Sequence, residues 1–293
     1  MTANRLNWFI RLSSYAILPL LLSGHLEAKS LSRPSSPIAR STTTEDSDSC
    51  QPDGQPTGPN CFVENFTGPI VSSQPMDLLL VVQTSNSIAN EMPAIKAGVT
   101  KFIDSLPANS DFNIAVMLSH GSTSSWSGKL YQSRSEPIVL RTKELSKDQI
   151  KTYLNLKLTY PTQDPNAGGG EEGLFSLFNG ISSSTLLSGS QAAGFFRPNA
   201  GLTTVFIADQ RDICAVIPAG VPPETDPAKI DARIRDCEGL TAQGLSSRLK
   251  TLKGNQPLKV TGIIYSKAPV AADPENEIGY GITDMIQING STA

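Results

Sequence analysis

The run Met76–Val82, "MDLLLVV", is apolar at every position but Asp77 and then breaks at once into Gln83, Thr84, Ser85, Asn86 and Ser87. A strand without polar alternation has no face to offer to water, so it belongs inside a parallel sheet covered on both sides. Such a strand needs helix layers above and below it. The chain supplies them: Ile95, Val99, Phe102, Ile103 and Leu106 recur at helical spacing, and Pro93 suits the first turn of that helix. Further strands are predicted at 112–119, 137–141, 201–209 and 258–266. Further helices are predicted from Ser146, after the Gly-rich acidic loop at 168–173, over 240–252 and over 277–288. Alternating strands and helices predict an α/β fold of three layers, with a mostly parallel central sheet between helices.

In such sheets, ligands sit beyond the carboxyl ends of the strands, where the strand order reverses. Gln83 to Ser87 follow one strand, Asp209 ends another, and Glu171 and Glu172 precede a helix that starts at the same edge. Hydroxyl, amide and carboxylate oxygens from three segments therefore converge on one rim, a donor set suited to a hard cation such as Mg2+. Blander roles stand beside this one. Ser85 and Ser87 could cap a helix, the two glutamates could complement a helix dipole, and Asp209 could be an ordinary strand-end acid.

The ends define the organisation. Arg5 and Arg11 flank an amino-terminal region, "YAILPLLLSG" is a short apolar core, and Ala28 suits cleavage, so residues 1–28 are predicted to be a secretory signal. A retained membrane anchor is the alternative. His25 stands where a lipoprotein would need its lipidated cysteine, so a soluble mature chain is expected. Residues 29–74 are rich in Ser, Thr and Pro and too poor in large apolar side chains to offset their ordering entropy, which predicts a disordered linker before a domain at 75–293.

Four cysteines in an exported chain favour disulfides, and of the three possible connectivities the local ones, Cys50–Cys61 and Cys214–Cys237, are preferred. The second would brace a polar insertion at 210–240. A net charge of -3 with scattered cations leaves no footprint for nucleic acid. "GGG" at 168–170 lacks the lysine and the ending of a phosphate loop, so no nucleotide is expected. His120 among serines invites a hydrolase reading, but no GxSxG elbow accompanies it, and the chain is not expected to be an enzyme.

The order of strand, "QTSNS", helix, Gly-Glu loop and strand ending "FIAD" resembles the von Willebrand factor A domain with its metal-ion-dependent adhesion site. The resemblance spans about 76 to 290. It puts Gln83, Ser85 and Ser87 at the places of the family's Asp-x-Ser-x-Ser, Glu171 at the second element with Glu172 as its competitor, and Asp209 at the third. It implies a Rossmann-like fold and bound Mg2+, or Mn2+ or Ca2+, in a degenerate site, because Gln83 replaces a carboxylate with a neutral amide. Glu172, Asp212 or a partner's own acid would restore the charge, and Glu172, Arg211 and Asp212 would meet the partner. It further implies an exported adhesion module that takes a protein or glycan at a cell surface. A metal-independent surface scaffold is the alternative, and a secreted hydrolase using His120 the third reading. The family normally adds another strand and helix after the point where "QINGSTA" ends.

Overall fold

The computed structural model describes residues 74–159, 170–265 and 277–290. The expected signal, the linker, Cys50, Cys61, Gly168 and Gly169 lie outside the described residues.

Among the described residues five strands form one sheet: β1 (Met76–Val82), β2 (Phe112–Leu118), β3 (Leu140–Arg141), β4 (Gly201–Ile207) and β5 (Leu258–Ile263), in the order β3-β2-β1-β4-β5. The apolar run is the central strand. It is parallel to both neighbours, with Leu80 opposite Val116 on one side and Val205 on the other. β5 continues the parallel sheet, and β3 closes the far edge antiparallel to β2.

Alternation of side chains splits β1 between two cores. Leu79 and Val81 join Ala115, Met117 and Phe206 on one face, beneath α3 (Gly173–Ser182), α6 (Ala242–Lys253) and α7 (Ile282–Ile288). Leu78, Leu80 and Val82 join Ile114, Val116 and Leu118 on the other, beneath α1 (Met92–Ser105) and α2 (Lys147–Thr159). The expected three-layer fold is thus the observed one.

Two helices were not foreseen. α4 (Ser184–Ala192) follows α3 after a one-residue break, where Ser183 is extended and its hydroxyl accepts from Leu186 N. α5 (Pro227–Asp236) lies inside the insertion, opened by Asp226 as cap and Pro227 at its first turn. The strand expected at 137–141 shrinks to two paired residues. Pro137 has no N–H to give a ladder, and the preceding Glu136 instead closes a turn by accepting from Ser133 N and Arg134 N.

Asp77, the lone acid of the central strand, is fully buried at the amino end of the sheet. Its carboxylate accepts from Arg197 N and Nε, both at 2.7 Å, and Lys253 Nζ stands 3.9 Å away. The same guanidinium reaches Asp111 Oδ1 at 2.7 Å and Met76 O at 2.8 Å, so one side chain ties together three segments.

Candidate functional site

β1 leads to β2 on one side, and the chain later returns to β1 on the other side as β4. The strand order therefore reverses between β1 and β4, and Gln83 and Asp209 emerge at that point. Gln83 N extends the ladder by donating to Ile207 O at 2.9 Å, and Thr84 N then turns to Gly170 O at 3.1 Å. The acidic loop is pinned on three sides. Besides the bond to Thr84, Glu172 N donates to Ser119 O and Ile213 N to Glu171 O. Gly170 has φ of 70°, and a Cβ there would lie 2.4 Å from Thr84 Oγ1, so no other residue lets the loop approach this closely.

The sequence-predicted ligands meet, but in an arrangement the sequence did not disclose. Gln83 Nε2 donates to Ser85 Oγ and to Asp209 Oδ1, each at 2.5 Å, and lies 3.5 Å from Ser87 Oγ. Ser85 Oγ and Ser87 Oγ are 2.8 Å apart. Gln83 Oε1 accepts from Asp209 N at 3.0 Å. Because a backbone N–H can only donate, this last bond identifies which end of the amide is oxygen. The hydroxyls of Ser85 and Ser87 belong to this cluster. At Asn86 and Glu91, the residues that cap the next two helical segments, no side chain makes a capping bond.

Asp209 is buried, and its Oδ2 has no hydrogen-bond partner among the described residues. Burial pushes its carboxyl up to about 6, against the hydrogen bonds from Ser87 and Gln83 that favour the anion. Glu171 lines the same recess as Gln83 and pairs with Lys229 Nζ at 2.6 Å; burial still pushes it up to about 7. A cation held with Gln83 as a ligand would need an amide oxygen pointing into the cluster, yet the amide turns its hydrogens there. In this arrangement the residues do not fit a divalent ion.

The three residues expected to meet a partner are engaged inside the protein. Asp212 is buried and accepts from Leu174 N at 2.9 Å and Cys214 N at 2.8 Å, so it closes the amino end of α3 from outside that helix. Arg211 reaches Pro222 O at 2.9 Å and the carboxylates of Glu224 and Glu277 at 3.4 and 3.1 Å. Glu172 is fully buried, and neither of its oxygens accepts a hydrogen bond from the described residues. A Cβ at Gly121 would lie 1.5 Å from Glu172 Oε2 and 2.6 Å from Asp236 Oδ2, so that glycine leaves room for two facing carboxyls. Burial first, and Asp236 second, push Glu172 up to about 8; Arg235 Nη2, 3.7 Å from its Oε1, offsets only part of this.

His120 is buried with Nε2 2.9 Å from Thr84 Oγ1 and Nδ1 2.7 Å from Ser124 Oγ.

The insertion was expected to be braced by a disulfide, and Cys214–Cys237 is formed. α5 is further held by Lys229 on Glu171, by Arg233 Nη1 on the carbonyls of Ile213 and Ala215, and by Asp236, which accepts from Ser122 N at 3.0 Å. Lys229, Arg233 and Asp236 carry no local signal, because each partner lies far off in sequence or is a backbone atom. Closing a loop of this length stabilises by roughly 3 kcal/mol in the chain-entropy view. Replacing both cysteines by serine is expected to lower the unfolding free energy read from urea denaturation by about that amount while leaving the far-ultraviolet spectrum of the sheet and its helices unchanged.

No family model matches the chain, and no curated protein matches it. Among solved structures it is similar to proximal thread matrix protein 1 from the mussel byssus, with 18% identity, 65% of this chain and 38% of that one covered, and a TM-score of 0.33. It is also similar to a von Willebrand factor type A protein from Catenulispora acidiphila, with 17% identity, 74% and 41% coverage and a TM-score of 0.27. A third is the pilus adhesin SpaC from Lactobacillus rhamnosus GG, with 15% identity, 65% and 28% coverage and a TM-score of 0.28. The matched region spans well under half the length of each of these three chains.

Proposed function

We propose that this chain is an exported protein-binding module of the von Willebrand factor A type, whose contact surface is the strand-end rim together with α5. The carrying observation is where large apolar side chains stand in solvent. Among the described residues, the two most exposed large apolar side chains, Val216 at 68% and Ile234 at 71%, lie on the insertion with Ile230 at 37%, while Phe102, Ile138 and Ile263 are exposed singly elsewhere. Ile230 and Ile234 are one helical turn apart and share a face. Arg233, between them in sequence, bonds to Ala215 O, the residue before Val216, which holds the helix against that stretch.

A helix so exposed has little packing of its own to keep it in place, and side-chain anchors with a disulfide do that instead. A rigid aliphatic surface of this kind loses little entropy when a partner covers it. Aliphatic side chains favour a protein partner over a glycan, since apolar packing dominates the centre of protein interfaces. Two recesses lie at the rim, one lined by Gln83, Glu171 and Asp212 and the other by Glu171, Arg211 and Lys229. Export is supported by the formed disulfide, which persists in oxidising compartments.

The test is site-specific photo-crosslinking in a surface extract of the source cells. A photoreactive residue at Ile234 or Asn86 is expected to yield one adduct of defined mass, and the same probe at Asn109, before β2 at the other end of the sheet, none. Equal labelling at Asn109, or an Asn86 adduct unchanged by Ile230→Asp with Ile234→Asp, would sink the reading.

A further inference from the structure

We infer that Gln83 is a built-in replacement for a cation: its carboxamide nitrogen, in place of a metal ion, draws Ser85, Ser87 and Asp209 together and keeps the rim assembled without divalent ions. This does not depend on the binding reading, because it concerns what holds the site and not what the site takes.

The geometry argues it in three steps. First, the amide cannot serve as an oxygen ligand in this position, since Oε1 is engaged by Asp209 N at 3.0 Å and the nitrogen faces the cluster. Second, the donors fit the acceptors. An amide has two N–H groups; these are taken by Ser85 Oγ and Asp209 Oδ1 at 2.5 Å, while Ser87, at 3.5 Å from the nitrogen, is reached through Ser85 Oγ at 2.8 Å. Third, the other acid of the expected ligand set has its own positive partner, Lys229 Nζ on Glu171 at 2.6 Å. An amide and an ammonium thus stand where the donor set alone would call for an ion. Through both ends of its amide, Gln83 joins the carboxyl end of β1 to that of β4, the two segments a cation would have bridged.

The experiment compares unfolding midpoints of the purified chain in EDTA and in millimolar Mg2+, Mn2+ or Ca2+, with a Mn2+ titration followed by electron paramagnetic resonance. The wild type is expected to unfold at one temperature in all four conditions and to leave Mn2+ free. Gln83→Ala and Gln83→Glu are expected to unfold several degrees lower in EDTA, because the donors are gone. Gln83→Asp is expected to bind Mn2+ and to gain about 5–10 °C at a hundredfold excess over its Kd, since the ion binds only the folded state. A wild-type midpoint that rises with Mg2+ and loses the rise in Ser85→Ala overturns the inference and restores the metal. A Gln83→Ala midpoint equal to wild type in EDTA also overturns it, because the amide would then hold nothing. If Gln83→Asp does not fold, the wild-type titration and the other two variants still decide.

Discussion

Arg197→Ala is expected to be among the most damaging single changes in the domain, lowering stability by about 3–5 kcal/mol and the thermal midpoint by on the order of 10 °C. Asp77 is fully buried in the central strand, and desolvation pushes its carboxyl upward; Arg197 is the main force holding it ionised. Removing the guanidinium leaves that carboxyl with the Arg197 backbone N–H and with Lys253 at 3.9 Å, and takes from Met76 O the hydrogen bond of the guanidinium. Breaking a buried pair from one side is far worse than never having had it. Arg197→Met combined with Asp77→Leu should therefore recover much of the loss. Urea unfolding of the two single variants and the double variant tests this, and a double variant as weak as the sum of its singles would count against it.

The second large effect is on pH. Glu172, Glu171, Asp212 and Asp209 lie at about 8, 7, 7 and 6 in the folded chain, each raised chiefly by burial, against roughly 4 when unfolded. Between the unfolded and folded values the folded protein holds protons that the unfolded chain has released. Stability must therefore fall as pH rises from about 5 and level off above about 8. Asp111, Glu136 and Asp236 are lowered and act oppositely, their contribution being lost only as pH falls through the acid range.

Glu172 should dominate the slope, since it is fully buried and faces Asp236, which accepts hydrogen bonds and supplies none when ionised. An amide in its place can donate to Asp236 at any pH. Glu172→Gln is expected to raise stability at pH 8 by about 1–3 kcal/mol and to change little at pH 5. Urea midpoints at the two pH values decide it; a flat wild-type profile, or a variant that keeps the wild-type slope, would refute the assignment.

What the sequence revealed and what it hid divide along a physical line. The central strand was legible because burial on both faces forbids alternation, and "LLLVV" has none. Convergence of Gln83 and Asp209 was legible because strand direction alone puts both at one edge. The Cys214–Cys237 bridge followed from parity and nearness. The orientation of the Gln83 amide was not legible, for it is set by the backbone N–H of Asp209, 126 residues away. Nor was the pairing of Lys229 with Glu171, which depends on how α5 docks. The break between α3 and α4 had a local sign in Ser183, hidden by serines on both sides. Pro137 was a warning against a long third strand, and it outweighed the apolar residues that followed it.

The disulfide has a consequence for a chain that meets a protease. The stretch from Val216 to Asp226 is largely exposed and carries no regular structure, so it is the natural place for a protease to cut. Cys214 and Cys237 stand on either side of it. A single cleavage there would leave two polypeptides still covalently joined, with Arg211 bound to Glu224 and Arg233 to Ala215 across the gap. The helix that presents Ile230 and Ile234 would stay in place, and the damaged molecule would keep its exposed aliphatic face.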